Sequence, residues 1–179
     1  GTVGMSLTGQ SLRIVDDSQN ILGSGEIGNI QVKGSNVFNG YWNLPEKTKE
    51  DFSLDNFFNT GDKGFLDAEG YLTIVGRTKD MIISGGLNVY PKEIESVINE
   101  IEGVIESAVI GLQDDDLGEK VVAVVVSNET TVLDGENIIL SLKEGIAGFK
   151  VPKEIVFVDE LPRNAMGKVQ KNILRDNYK

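Results

Sequence analysis

Gly76-Arg77-Thr78-Lys79-Asp80 separates two stretches of different texture, and the fold class follows from what flanks it. On the amino side the chain reads as short strands between glycine-rich turns. Ser11–Val15 alternates, Asp16–Asn20 is a turn, and residues 28–34 alternate again around Ile30 and Val32. Residues 43–51 read as one short helix with Pro45 in its first turn. Residues 64–75 predict a hairpin that turns at Asp67–Gly70. Residues 1–78 are therefore expected to form a small antiparallel, β-barrel-like subdomain.

On the carboxy side the pattern mixes strands with helices. Met81–Ile83 predicts a brief strand, and Pro91 opens an amphipathic helix with Ile94, Val97, Ile98 and Ile101 at i, i+3, i+4 and i+7. Strands are expected at 106–111 and 120–126. The second of these is a nearly continuous valine run, which implies burial on both faces. A helix near 137–147, a strand at 154–158 and a last helix after Lys168 complete an α+β unit over residues 79–179. The class is α+β, with the second domain able to swing about so short a connector. An ordinary strand-to-strand loop is the plain alternative at 76–80.

Composition narrows the chemistry. The 179 residues contain no cysteine and no histidine. Disulfides and thiolate metal sites are excluded, and the commonest general base and zinc ligand is missing. No metal ligand is assigned. The net charge of −11 argues against nucleic acid. It is uneven: eight basic and five acidic residues give +3 over 143–179, leaving −14 over 1–142. A basic end on an acidic body suits receipt of one anionic ligand, or is a solvated helix face. No apolar run approaches the ~20 residues of a membrane span. The opening Gly1-Thr2-Val3-Gly4 reads as a start inside a longer protein, with the cytosol or mitochondrial matrix as the expected compartment.

Four clusters could carry chemistry. Thr60-Gly61-Asp62 places a carboxylate beside a glycine turn at a strand end, where it could accept two hydrogen bonds from a vicinal diol. Gly76-Arg77-Thr78-Lys79-Asp80 sets a guanidinium beside a lysine and an acid. Ser84-Gly85-Gly86-Leu87-Asn88-Val89-Tyr90-Pro91 puts a glycine pair ahead of a proline-started helix, so that a ligand could pass close to the backbone. Pro162-Arg163-Asn164-Ala165-Met166-Gly167-Lys168 holds a lysine behind a glycine, a mobile charge able to neutralise a phosphoryl group or carboxylate. Singly, each also reads as a turn or an exposed loop.

In this order and spacing the four clusters resemble the carboxy-terminal motifs of the adenylate-forming superfamily, which includes acyl-CoA synthetases, peptide-synthetase adenylation domains and beetle luciferases. The likeness begins near Gly25-Glu26-Ile27-Gly28, continues through Asn39-Gly40-Tyr41-Trp42 and the four clusters, and covers essentially the whole chain. Within the superfamily the wording of Asn88–Glu95 and Pro162–Lys171 looks nearest to malonyl-CoA synthetases.

The resemblance implies a ligase that joins a carboxylic acid to coenzyme A through an acyl-adenylate, using ATP and Mg²⁺ and releasing AMP and pyrophosphate. It implies Asp62 and Arg77 as nucleotide-binding residues, Lys168 as the catalytic lysine, Lys79 as the hinge, and Gly85 and Gly86 as lining of the pantetheine tunnel. It also marks Lys168 as a target of reversible acetylation. The family's phosphate-binding loop and its metal-linked glutamate do not appear in this sequence. The chain by itself is therefore expected to be inactive, to need none of these cofactors, and to partner an amino-terminal domain. Two other readings remain: an adenylation domain that loads a carrier protein, and a non-catalytic binding module of the same fold.

Overall fold

In the computed structural model, residues 2–128 and 133–179 are described. The chain divides into two units, Gly1–Lys79 and Asp80–Lys179.

The first unit is an antiparallel meander of β1 (Gln10–Val15), β2 (Gly28–Gly34), β3 (Phe58–Leu66) and β4 (Leu72–Arg77), hydrogen-bonded in that order. Helix α1 (Pro45–Asp51) sits between β2 and β3, with its proline at the first helical position, where no amide partner is lost. The sheet is open rather than closed into a barrel among the described residues. An isolated bridge from Gly4 to Leu72 nevertheless brings the segment before β1 onto the outer edge of β4. The buried apolar core is small: Ile14, Ile30 and Leu72, with Leu12, Leu22, Val32 and Leu66 packed around it. Gly64 must be glycine, because a Cβ there would lie 2.3 Å from the Thr73 carbonyl.

The second unit is a five-stranded sheet covered on both faces. Strands β5 (Ile82–Ser84) and β6 (Leu87–Val89) form a hairpin that joins the edge of β8 (Gly118–Ser127), and β8 pairs along its length with β7 (Val104–Asp114). Strand β9 (Glu154–Val158) pairs parallel to β8 on the β5 side, so the sheet is mixed. The expected valine strand is β8, and its six residues Val121–Val126 are all buried. A strand's two-residue period divides them. Val121, Ala123 and Val125 face Ile94 and Ile98 of α2 (Pro91–Ile98) and Ile138 and Leu142 of α3 (Gly135–Gly145). Val122, Val124 and Val126 face Leu161 and Leu174, the latter on α4 (Lys171–Asn177). At ~1.5–3 kcal/mol for each fully buried aliphatic side chain, these two layers dominate the unit's stability.

No helix among the described residues is long and apolar enough to cross a membrane.

Candidate functional site

Asp62 stands inside a strand, not at the strand end expected from its turn-like neighbours. Asn29 pairs with Lys63 and Gln31 with Asn59, so three residues of β3, Thr60-Gly61-Asp62, oppose the single Ile30 of β2. The extra residues form a bulge, with Gly61 in the left-handed region (φ 75°). The Thr60 hydroxyl bonds the Ile30 carbonyl at 3.1 Å and accepts the Asp62 amide at 3.1 Å, which fixes the bulge from within. On the other side Asp62 is in register with Arg77 of β4, and Arg77 Nε lies 3.0 Å from Asp62 Oδ1. One carboxylate oxygen is thereby engaged, and the other has no partner among the described residues. The acid is held without being sealed in a core, since its side chain is 22% exposed.

Neighbouring polar groups stiffen the bulge. Lys63 is buried, with its ammonium 3.3 Å from Asp17. Hydrogen bonds from Asn29 and Lys63 hold the Asp17 carboxyl below its ordinary range. The fully buried Gln31 donates to Asn59 at 2.5 Å and to Gln19 at 2.8 Å, and accepts from Arg13 at 2.7 Å. Arg13 also makes a two-pronged pair with Asp55, which lowers that carboxyl to about 2, and stacks over Phe57. A broad groove in this unit, lined by Phe38, Tyr41, Trp42 and Phe52 along with Arg13 and Asp55, contains neither Asp62 nor Arg77. Its only strong ion pair is already internally satisfied, so we place the chemistry at the bulge rather than in the groove.

The residues between the units are pinned from both ends. Arg77 is tied to Asp62 within the first unit. Asp80 is tied to Arg175 of α4 at 3.1 Å within the second. Between them Thr78 makes a long 3.5 Å contact to Asn29, and Lys79 is exposed in a 3-10 turn.

Gly85 and Gly86 are the two central residues of the β5–β6 hairpin, with φ of 58° and 78°. Positive φ at both positions is the signature of a type I′ turn, which explains the glycine pair more fully than a helix lead-in does. No atom would meet a Cβ on Gly86, so backbone conformation and not space requires it. The hairpin is anchored by Gly85 N–H donating to Leu117 O at 2.8 Å and Ile83 N–H donating to Glu119 at 2.7 Å.

Lys168 lies at the neck of a tight loop. The Asn164 side-chain oxygen accepts from the amides of Met166 (3.0 Å) and Lys168 (2.9 Å), and the Asn164 amide donates to Lys168 O at 2.9 Å. Gly167 supplies the left-handed residue (φ 76°). Of the eight basic residues counted from Lys143 onward, five have a carboxylate partner: Lys150, Arg163, Lys171, Arg175 and Lys179. Lys168 is exposed, and no acid pairs with it among the described residues. A fixed backbone thus presents an unneutralised ammonium.

Several groups inside or beside the quoted motifs shape these sites, although the sequence alone assigns them no role. Glu95 of α2 is buried, accepts the Val109 amide at 2.9 Å and meets the Lys171 ammonium at 2.5 Å. Arg163 pairs with Glu106. Asn164 could have been found, since asparagine three residues before glycine is a turn signature. The paired acids lie 57 and 76 positions away in sequence and carry no local signal. Among the described residues no group of three or more acids could hold a metal ion.

Residues 93–168, most of the second unit, match the family of AMP-binding enzyme C-terminal domains. The chain is also similar along nearly its whole length to curated CoA ligases. It is 47% identical over 175 residues to an indoleacetate–CoA ligase of Aromatoleum aromaticum, covering 98% of this chain and 34% of that protein. It is 44% identical over 178 residues to a methyl-dioxo-octahydroindenyl-propanoyl:CoA ligase of Rhodococcus jostii, covering 99% of this chain and 33% of that protein. Among solved structures, ATP-bound MatB of Rhodopseudomonas palustris is 53% identical with a TM-score of 0.95, covering all of this chain and 36% of that one. The apo form of the same protein matches over the same span at 0.76. The chain therefore spans about a third of the length of the relatives it matches.

Proposed function

We propose that this chain is the carboxy-terminal part of an ATP-dependent acyl-CoA synthetase, in which a carboxylate attacks the α-phosphate of ATP and the acyl-adenylate then passes its acyl group to the thiol of coenzyme A. The observation that carries the reading is the presence of two preset charges, one in each unit. One is a partly exposed carboxylate bulged from β3 and braced by Arg77; the other is an exposed ammonium at Lys168 with no acid paired to it among the described residues.

Phosphoryl transfer needs positioning and charge neutralisation more than a covalent partner, which suits a sequence without histidine or cysteine. Asp62 would clasp the ribose hydroxyls with Arg77 beside it, and Lys168 would neutralise carboxylate and phosphate oxygens during adenylation. Lys79 would be the pivot, because the residues either side are held by separate units. The ATP-bound and apo MatB structures match this chain at TM-scores of 0.95 and 0.76, which is compatible with a protein that changes conformation. Turning would withdraw Lys168 and bring the Gly85-Gly86 turn to the path of pantetheine, where absent side chains leave room for it. Among the described residues no cluster of three or more acids fits a metal, so Mg²⁺ would arrive with the nucleotide or be held by the amino-terminal domain.

The acid is a short-chain or malonate-like one on the wording of the sequence motifs. The two ligases named above act on dissimilar ring acids while sharing nearly half of these residues, so the acyl pocket lies largely outside this chain. The lack of cysteine and of a long apolar run supports a cytosolic or matrix location.

In a ligase of full family length carrying this chain, Lys168→Ala is expected to lower ATP–pyrophosphate exchange by roughly 10²–10³-fold. Thioester formation from supplied acyl-adenylate should be spared. Equal loss of both half-reactions would refute the role assigned to Lys168.

A further inference from the structure

We propose that Arg163 is the positioning residue for Lys168, with Glu106 as its anchor; this rests on the reading that Lys168 serves adenylation. The Arg163 guanidinium donates in two directions. Nη1 bonds the Gly167 carbonyl at 2.6 Å, and Nη2 meets the Glu106 carboxylate. The Gly167 carbonyl belongs to the peptide that joins Gly167 to Lys168, so this contact grips the loop one bond from the lysine's own backbone.

Glu106 is no loose end. It lies on β7 in register with Val126 of β8, beside the most deeply buried strand of the unit. The loop it reaches has no apolar anchor, since residues 163–168 are all exposed. An isolated bridge from Arg163 to Val169 closes the loop's neck. Three residues beyond Lys168, the pair of the partly buried Lys171 with the buried Glu95 fixes the far side. Arg163 is thus the near-side tie between an exposed catalytic loop and the rigid sheet.

A planar fork is what the two acceptors require. A lysine at 163 would keep the charge but has no pair of divergent in-plane donors. The Arg163 and Glu106 side chains are 44% and 28% exposed, so their pair is screened by water and contributes little to stability. Its contribution is geometric, and a displacement of about 1 Å at a reacting group can cost on the order of 10²-fold in rate.

The test uses the full-length ligase with Arg163→Met, Arg163→Lys, Glu106→Ala, the Arg163→Met/Glu106→Ala double variant, and Lys168→Ala as reference. ATP–pyrophosphate exchange, thioester formation from supplied acyl-adenylate, and thermal midpoint are measured for each. Arg163→Met and Glu106→Ala should each lower the exchange rate constant by roughly 10–100-fold while the second half-reaction and the midpoint stay put. Arg163→Lys should fail to restore exchange, and the double variant should be no worse than Arg163→Met, because both act through one contact. Wild-type exchange in both single variants, with Lys168→Ala inactive, overturns the positioning role and leaves the function standing. Parallel loss of both half-reactions with a lowered midpoint makes Arg163 merely structural and also overturns it. Undiminished exchange in Lys168→Ala overturns the functional reading itself.

Discussion

The two units hold their functional groups by opposite means. In the first, the main apolar cluster has only three buried side chains, and Asp62 is placed by the hydrogen-bond ladder itself, through a bulge and a cross-strand arginine. In the second, two layers of buried aliphatic residues sandwich β8, and the chemistry-bearing residues sit on loops outside that frame, tied back by side-chain ion pairs. A residue that grips a ligand can be built into the strands. A residue that must come and go belongs on a projecting loop, and such a loop needs a stiff frame behind it.

The contrast can be broken first in the cores. Ile94→Ala opens a cavity in a fully buried cluster and is expected to cost about 2–5 kcal/mol in the second unit. Ile74→Ala removes a side chain that is 39% exposed on β4 and should cost roughly 1 kcal/mol or less in the first. Native-state hydrogen exchange at β8 and β4 amides reads each loss in its own unit. If Ile94→Ala lowered protection in β4 as much as in β8, the units would be one cooperative body and the contrast would fail.

A smaller effect sharpens the electrostatic side. Arg13 holds the Asp55 carboxyl at about 2 in the folded chain, below an unfolded value of about 3.9. A depressed carboxylate stabilises the fold at pH above the unfolded value and loses that contribution as pH falls toward 2. The first unit should therefore weaken between about pH 4 and pH 2, modestly and less so in high salt, because Asp55 is more than half exposed. Carboxyl titration by NMR checks it: Arg13→Gln should raise the Asp55 titration toward the ordinary range, short of it because the Ser53 hydroxyl still donates to the carboxylate, and an unchanged titration would show that Arg13 is not the cause.

Much of this was legible from the chain alone, for identifiable reasons. Period-two alternation placed β1 and β2, and proline at a first helical position marked α1 and α2. The unbroken valine run announced a strand covered on both faces, and β8 is one. What stayed hidden depended on distant partners. Nothing local says that β9 should run parallel to β8, or that Glu95, one position from the apolar stripe of α2, is buried against Lys171. Asp62 was misplaced to a strand end because Thr-Gly-Asp has turn chemistry, and only the register with β2 shows that this chemistry makes a bulge. Strand β6 was absorbed into the approach to α2, since three residues give too little alternation to detect.

The account turns on one chain segment, Thr78 and Lys79, lying between residues fastened to different units. Lys79→Pro fixes φ at that position and drives Thr78 toward extended backbone, so it should trap one arrangement. Measured in the full-length ligase by pre-steady-state kinetics, one half-reaction should persist near the wild-type rate while the other, and overall acyl-CoA formation, fall by on the order of tenfold or more. Wild-type turnover in that variant, or an equal fall in both half-reactions, would contradict a site that serves two reactions by exchanging its walls.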